Sequence, residues 1–248
     1  MSTNSSQASN FAIETKDLWR VYPSKSTEAA LPSNTPEWGR GIPALRGLNL
    51  QVPVGKFVAI KGRSGSGKTT LLNCLAGLDR PTSGEIWVLG HNLAEMSERE
   101  LTAWRRDQIG LIFQSFGLLP TLSAYENIEL LLRIKGEPAE VRHKRTLKCL
   151  ESVGLTRWRN HRPYEMSGGQ QQRVAVARAL ANQARLILAD EPTGELDSAT
   201  TREILGFFKD LVEQEGITLL MVSHDPLVDQ YAHQIMLLKD GNVVDAPG

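Results

Sequence analysis

The sequence predicts an α/β fold built on a mainly parallel sheet with helices on both faces. Three observations predict it. Short apolar runs at residues 56–61, 185–190 and 217–223 alternate with longer helical patterns, as parallel strands buried on both faces do. A glycine-rich turn sits between the first of those runs and a helical stretch. The chain has 248 residues, 41% hydrophobic and 23% charged, enough to bury a sizeable core in one large domain or two small ones.

The elements follow in order. Residues 1–10 are polar, have no apolar stretch of a secretory leader, and read as a disordered lead-in. Residues 11–248 read as a single domain. Residues 11–21 form a strand. Residues 24–42, rich in Ser, Pro, Gly and Thr, form a surface loop. Residues 45–52 alternate apolar and polar as a half-buried strand does. Gly55 turns the chain into the strand at 56–61, which runs into the glycine-rich turn and a helix over 68–77. Strand 84–89, helix 98–108 and strand 109–113 come next. Residues 123–155 are helical with a break at Gly136-Glu137-Pro138. With the helix at 168–183 they make a helical subdomain of about residues 115–180. Strand 185–190, helix 197–215 and strand 217–223 complete the alternation. Asp240-Gly241 joins two final strands, 234–238 and 242–245, in a hairpin.

Bulk properties exclude several classes. Lys plus Arg and Asp plus Glu both number 28, so there is no basic excess for a broad nucleic-acid surface. No apolar run approaches the ~18 residues of a membrane span. Cys74 and Cys149 are far apart and read as reduced core thiols. The five histidines show no metal-ligand spacing. The basic stretches 142–145 and 157–162 read as solvated helix faces.

Gly62-Arg63-Ser64-Gly65-Ser66-Gly67-Lys68-Thr69 matches G-x-x-x-x-G-K-[ST] at every fixed position. Glycines let backbone N–H groups approach phosphate closely. The following helix points its positive end at the same anion. Lys68 neutralises β/γ-phosphate charge, and the Thr69 hydroxyl is placed to ligate Mg²⁺. Arg63, at a free position of the motif, reads as solvated.

Downstream, the apolar run 185–189 ends in Asp190-Glu191. Adjacent side chains at a strand end point to opposite sides, so two carboxylates there can do different work. Asp190 would hold the Mg²⁺ shell, and Glu191 would polarise an attacking water. Ser167-Gly168-Gly169-Gln170 opens a second helix. Ser167 and Gln170 fit a capping box, but two glycines between them also allow close backbone approach to an anion.

With these motifs in hand the sequence resembles the ATP-binding cassette (ABC) family of P-loop ATPases. Met166-Ser167-Gly168-Gly169-Gln170 is similar to its signature motif, with Met where Leu is usual. Phe113-Gln114 resembles the Q-loop, Gly194-Glu195-Leu196-Asp197 the D-loop and Val222-Ser223-His224-Asp225 the switch-histidine segment. The resemblance runs from Phe11 to about Asp245. It implies a fold with an N-terminal antiparallel β subdomain, a mainly parallel core and a helical signature subdomain. It also implies an Mg²⁺-dependent ATP hydrolase working as a head-to-tail pair of chains. Each ATP would lie between the loop Gly62, Ser64, Gly65, Ser66, Gly67, Lys68, Thr69 and Thr70 of one chain and Ser167, Gly168, Gly169 and Gln170 of the other.

Residue by residue, Gln114 would contact Mg²⁺ and sense a membrane partner. His224 would hold the γ-phosphate and the water geometry. Asp197 would link the two sites. Tyr22 is the candidate to stack on adenine, with Trp19 as fallback. Glu195 departs from the commoner Asn or Ala, which leaves the fine coupling of the two sites open.

The wording around residues 72–84, 109–120 and 170–175 resembles the MacB, LolD and FtsE group. That implies a separate permease with few membrane helices, reached from the cytoplasmic face of the inner membrane without direct insertion. ATPases of amino-acid importers share much of this wording and are the alternative. A soluble ATPase acting on DNA or ribosomes, or a mainly regulatory FtsE-like subunit, are further readings on the same cassette.

Overall fold

The structure, a computed structural model, describes residues 10–23 and 41–244. Residues 1–9 of the lead-in expected at 1–10 and residues 24–40 of the loop expected at 24–42 lie outside the described residues, while the Asn10 carbonyl accepts the Val54 N–H. Two sheets organise the chain. β1 (Phe11–Pro23), β2 (Gly41–Pro53), β4 (Ser83–Val88) and β5 (His91–Asn92) form an antiparallel sheet in the order β2-β1-β4-β5. β2 starts earlier than the alternation at 45–52 suggests, because Ile42 and Pro43 pair with Tyr22 and Val21.

The second sheet runs β10-β9-β3-β8-β7-β6. Its members are β3 (Phe57–Lys61), β6 (Ile109–Ile112), β7 (Leu186–Asp190), β8 (Thr218–Val222), β9 (Gln234–Lys239) and β10 (Asn242–Val244). All pairings are parallel except the edge pair β9–β10. Asp240 and Gly241, which join that pair, both have positive φ, 49° and 82°, as the tight hairpin turn requires.

Two-residue periodicity decides which side chains meet which layer. Phe57, Ala59, Ile187, Ala189, Leu219 and Met221 point to one face. There they pack under α3 (Ala124–Ile134), α4 (Ala139–Ser152), α5 (Gly168–Ala181) and α6 (Ser198–Glu215). Val58, Ile60, Leu186, Leu188, Leu220 and Val222 point to the other. That face is covered by α1 (Lys68–Leu75), α2 (Glu98–Gln108) and the antiparallel sheet. Both faces are dry, which explains why these strands read as continuous apolar runs. The mainly parallel core, antiparallel sheet and helical layer are those the sequence implied.

Local chemistry sets the helix starts. Ser97, Ser123 and Ser167 cap α2, α3 and α5, each closing a reciprocal box with Glu100, Glu126 and Gln170. The break at Gly136-Glu137-Pro138 separates α3 from α4, and Gly136 takes φ 81°. Asn127, buried at the start of α3, accepts the Leu119 N–H and donates to the carbonyls of Leu119, Leu122 and Ser123. The 142–145 stretch is not simply solvated: Arg142 pairs with Glu129, and Arg145 reaches Glu137. Cys74 and Cys149 are free and buried, and burial pushes their thiols up to about 12 and about 11.

Candidate functional site

β3 delivers the glycine-rich turn at its C-terminal end, and α1 begins at Lys68. Gly67 stands at φ 103°, and a Cβ there would lie 2.5 Å from the Ala44 carbonyl oxygen. Only glycine fits both demands. The Lys68 ammonium donates to the carbonyl oxygens of Gly62 and Arg63 at 2.9 and 3.0 Å. It therefore lies back across the loop it closes.

β7 ends beside this turn, because β3, β8 and β7 are consecutive in the sheet. Its last residue, Asp190, shares the cleft with Thr69 and Lys68. Burial raises the Asp190 carboxyl above the ordinary carboxylate range, the Thr69 hydroxyl opposes this, Glu191 adds repulsion, and Lys68 draws it back. Glu191 follows at φ 47°, a left-handed backbone for a non-glycine residue. Its N–H donates to the Val222 carbonyl at 2.9 Å. Its Oε2 accepts the His224 N–H at 3.2 Å and lies 2.9 Å from His224 Nδ1. The Glu191 side chain is 14% exposed and the His224 side chain 71%. The carboxylate is thus seated while the ring faces outward.

These groups share one open cleft of about 680 Å³. Gly62, Ser64, Gly65, Gly67, Lys68, Thr69, Thr70, Gln114, Asp190, Glu191 and His224 all line it, and Arg63 and Ala44 join them. Ser66 is buried beneath the turn. Ala44 was not legible as a site residue. It lies on β2 (Gly41–Pro53), and a small apolar residue on a strand carries no chemical signal.

Besides Ser66, several predicted residues lie outside this cleft's lining. Ser167, Gly168, Gly169 and Gln170 open α5 with the capping box closed, Gln170 N–H to Ser167 Oγ at 3.3 Å and Ser167 N–H to Gln170 Oε1 at 2.9 Å. Asp197 caps α6: its carboxylate accepts the N–H groups of Ala199 and Thr200 and the Thr200 hydroxyl. Those bonds hold its carboxyl below the usual range. Tyr22 stands next to the cleft. Its hydroxyl donates to Asp79 at 2.7 Å and lies 3.5 Å from Thr70 Oγ1, and the Arg20 guanidinium covers one ring face at 4.5 Å. The Trp19 indole N–H donates to Asp17.

A family comparison matches residues 45–194 to the family described as ABC transporter. The chain belongs to the ABC transporter family. As an ABC ATPase, an ATP hydrolase, it has relatives with the same wording along nearly its full length. It is 44% identical over 233 residues to MJ1508, an uncharacterized ABC transporter ATP-binding protein of Methanocaldococcus jannaschii, covering 94% of this chain and 98% of that one. It is 46% identical over 209 residues to the macrolide export ATP-binding/permease protein MacB of Syntrophobacter fumaroxidans. That match covers 84% of this chain but 29% of the MacB chain. Among solved structures, the dimeric post-hydrolysis state of the ATP-binding cassette MJ0796 bound to ADP and Pi superposes with TM-score 0.80 at 42% identity. It covers 94% of this ABC ATPase and 97% of that chain. The cbiO1 protein of Clostridium perfringens, described as part of the transporter complex cbiONQ, matches at TM-score 0.82 and 25% identity over 96% of this chain and 88% of that one. Among the described residues, no helix is long and apolar enough to cross a membrane.

Proposed function

We propose that this ABC ATPase drives a MacB-type membrane complex through ATP-dependent, head-to-tail pairing of two copies. One observation carries the reading. The cleft gathers the phosphate turn, Gln114, Asp190, Glu191 and His224, while the second anion-binding helix start, Ser167–Gln170, does not line it. A second copy supplies that helix start to the γ-phosphate. The dimeric MJ0796 cassette supports the arrangement.

The residues divide the work. Backbone N–H groups of 62–68 and the α1 N-terminus bind phosphate oxygens. Lys68 exchanges its two carbonyl partners for the β- and γ-phosphates. A water oxygen attacks the γ-phosphorus, the bond to the β–γ bridging oxygen breaks, and its electrons leave on ADP. Glu191 accepts the proton of that water. His224, held against Glu191 by backbone and ring, positions the γ-phosphate. Thr69, Gln114 and Asp190 all line the cleft and would supply hard oxygen donors, the set that suits Mg²⁺. Among the described residues no cluster of three acidic, His or Cys side chains could hold a metal by itself, which fits an ion completed by substrate phosphates. When bound, the ion neutralises charge developing on the phosphates. Tyr22 stacks on adenine with the ring face that Arg20 leaves uncovered, and Asp197 links the two sites of the pair.

The permease corresponds to the part of MacB that this chain does not span, and docking to it places the ATPase on the cytoplasmic face of the membrane. An apolar groove of about 420 Å³ beside Gln114, lined by Phe113, Leu119, Leu131 and Ile134 among others, suits a cytoplasmic segment of that permease. The 46% identity to a macrolide export protein supports the export-type reading over an importer.

Glu191→Gln tests the mechanism. The variant is expected to bind ATP, elute as a dimer on size exclusion with ATP, and lose at least ~10²-fold in phosphate release. Wild-type turnover would remove Glu191 from its role, and a monomer with bound ATP would sink the pairing.

A further inference from the structure

A third cavity, of about 440 Å³, opens at the opposite end of the parallel strands from the phosphate turn. Arg185, just before β7, and Thr218, the first residue of β8, line it, whereas Asp190 at the far end of β7 lines the ATP cleft. Five strand residues at about 3.3 Å each separate the two sites by roughly 17 Å.

Its lining has two halves. Cys149, Leu211 and Ile217 give an apolar floor drawn from α4, α6 and the approach to β8. Arg145, Lys148 and Arg185 bring three cations, against one carboxylate, Glu215. Positions 145, 148, 149 and 152 recur at i, i+3, i+4 and i+7, so α4 presents cations, thiol and the Ser152 hydroxyl on one face. Arg145 is spent on an ion pair with Glu137 at 3.4 Å, but the other two cations are not. Lys148 and Arg185 are exposed, and no side-chain hydrogen bond or ion pair engages either among the described residues. A well of this volume lies within the roughly 300–1,000 Å³ of small-molecule sites.

We propose that this cavity binds a single-chain amphiphile with an anionic head. Lys148 and Arg185 receive the carboxylate or phosphate, and the chain lies over Leu211, Ile217 and Cys149. A purely polar anion leaves the apolar floor wet, and a flat bilayer surface cannot enter a crevice walled by three layers of the fold. The site uses none of the residues assigned to ATP chemistry, so it stands or falls separately from that reading.

Calorimetric titration of the full chain tests it, with octanoate, decanoate and dodecanoate below their micelle-forming concentrations. Decanol, inorganic phosphate and phosphatidylglycerol vesicles are the comparison probes. Expected is saturable binding of the carboxylates that tightens about fourfold per added CH₂. Decanol should bind at least tenfold more weakly, and phosphate and vesicles should give no heat. Lys148→Glu/Arg185→Glu should weaken decanoate at least tenfold while ATP hydrolysis stays at the wild-type rate. On the unmodified chain, decanoate should slow maleimide labelling of Cys149 and not of Cys74. A flat chain-length series, equal binding of decanol, binding to vesicles alone, or undiminished labelling of Cys149 overturns the proposal.

Discussion

Asp79 is the hinge of a small network outside the phosphate motif. Its carboxylate accepts the Tyr22 hydroxyl at 2.7 Å and two Arg20 nitrogens at 2.9 and 2.7 Å. The Arg20 and Asp79 side chains are only about one-fifth exposed, 22% and 19%. Removing the carboxylate strands a charged donor and a hydroxyl together. Asp79→Ala is therefore expected to lower unfolding free energy by about 1–3 kcal/mol, read as a drop in urea midpoint at constant m-value. A midpoint within error of wild type would mean the network is too solvated to matter. Sequence alone could name Tyr22 but not Asp79. The aromatic sits in a recognisable place before the phosphate turn, whereas an acid 57 positions away on the α1–β4 connection carries no signal until the fold brings it near. Asp190 and Glu191 were legible for the opposite reason. Asp190 ends the buried strand β7 and Glu191 follows it, so the strand pattern points at both, whereas His224, two residues beyond β8, was named through the resemblance of residues 222–225.

Between elements, the close fit of α5 and α6 turns on one pair. A Cβ at Gly169 would lie 2.5 Å from Thr200 Cγ2, with every other neighbour at 3.8 Å or beyond. The glycines of Ser167–Gln170 thus answer to helix packing as well as to anion approach, a second cause that spacing in the sequence does not expose. Gly169→Ala is expected to cost about 1–3 kcal/mol, the usual range for overpacking. Adding Thr200→Ser removes the offending methyl and keeps the hydroxyl that bonds Asp197. The double variant should recover most of the loss in a thermal or urea melt. Additive losses would show that the contact is not the cause. Element boundaries were legible where chemistry punctuates the chain, as at the three serine caps. β5 was missed because two residues, His91 and Asn92, offer no periodicity to read.

For the molecule as a whole, acid stability follows from three capping carboxylates and one, Asp107, paired with Arg106. Hydrogen bonds hold Glu100 and Glu126 below their ordinary value of 4.5, and Asp107 and Asp197 below 3.8. A folded-state pKa below the unfolded one contributes stability above the unfolded pKa, and that contribution fades as pH falls through the folded value. Asp190 has the opposite sign, being raised by burial, so its protonation partly offsets the loss. With four groups against one, the urea midpoint is expected to fall below about pH 4.5. Glu100→Gln/Glu126→Gln keeps both capping acceptors without the titration and should flatten that slope. An unchanged slope would assign acid sensitivity elsewhere. The two-layer core was legible from alternation, because every central strand residue answers to one face or the other. The meeting of the Gln114 segment with the helical layer was not, since it depends on Asn127 and Arg178 reaching backbone carbonyls outside their own helices, Arg178 across more than 60 residues of sequence. Asn127 fastens 119–123 to α3, and the Arg178 guanidinium grips the Phe116 and Gly117 carbonyls from α5. A connection pinned at both points has little slack. Any displacement imposed at Gln114 must therefore swing the helical layer as a stiff lever arm instead of being absorbed by the loop, and the stroke at the far end of that arm grows with its length.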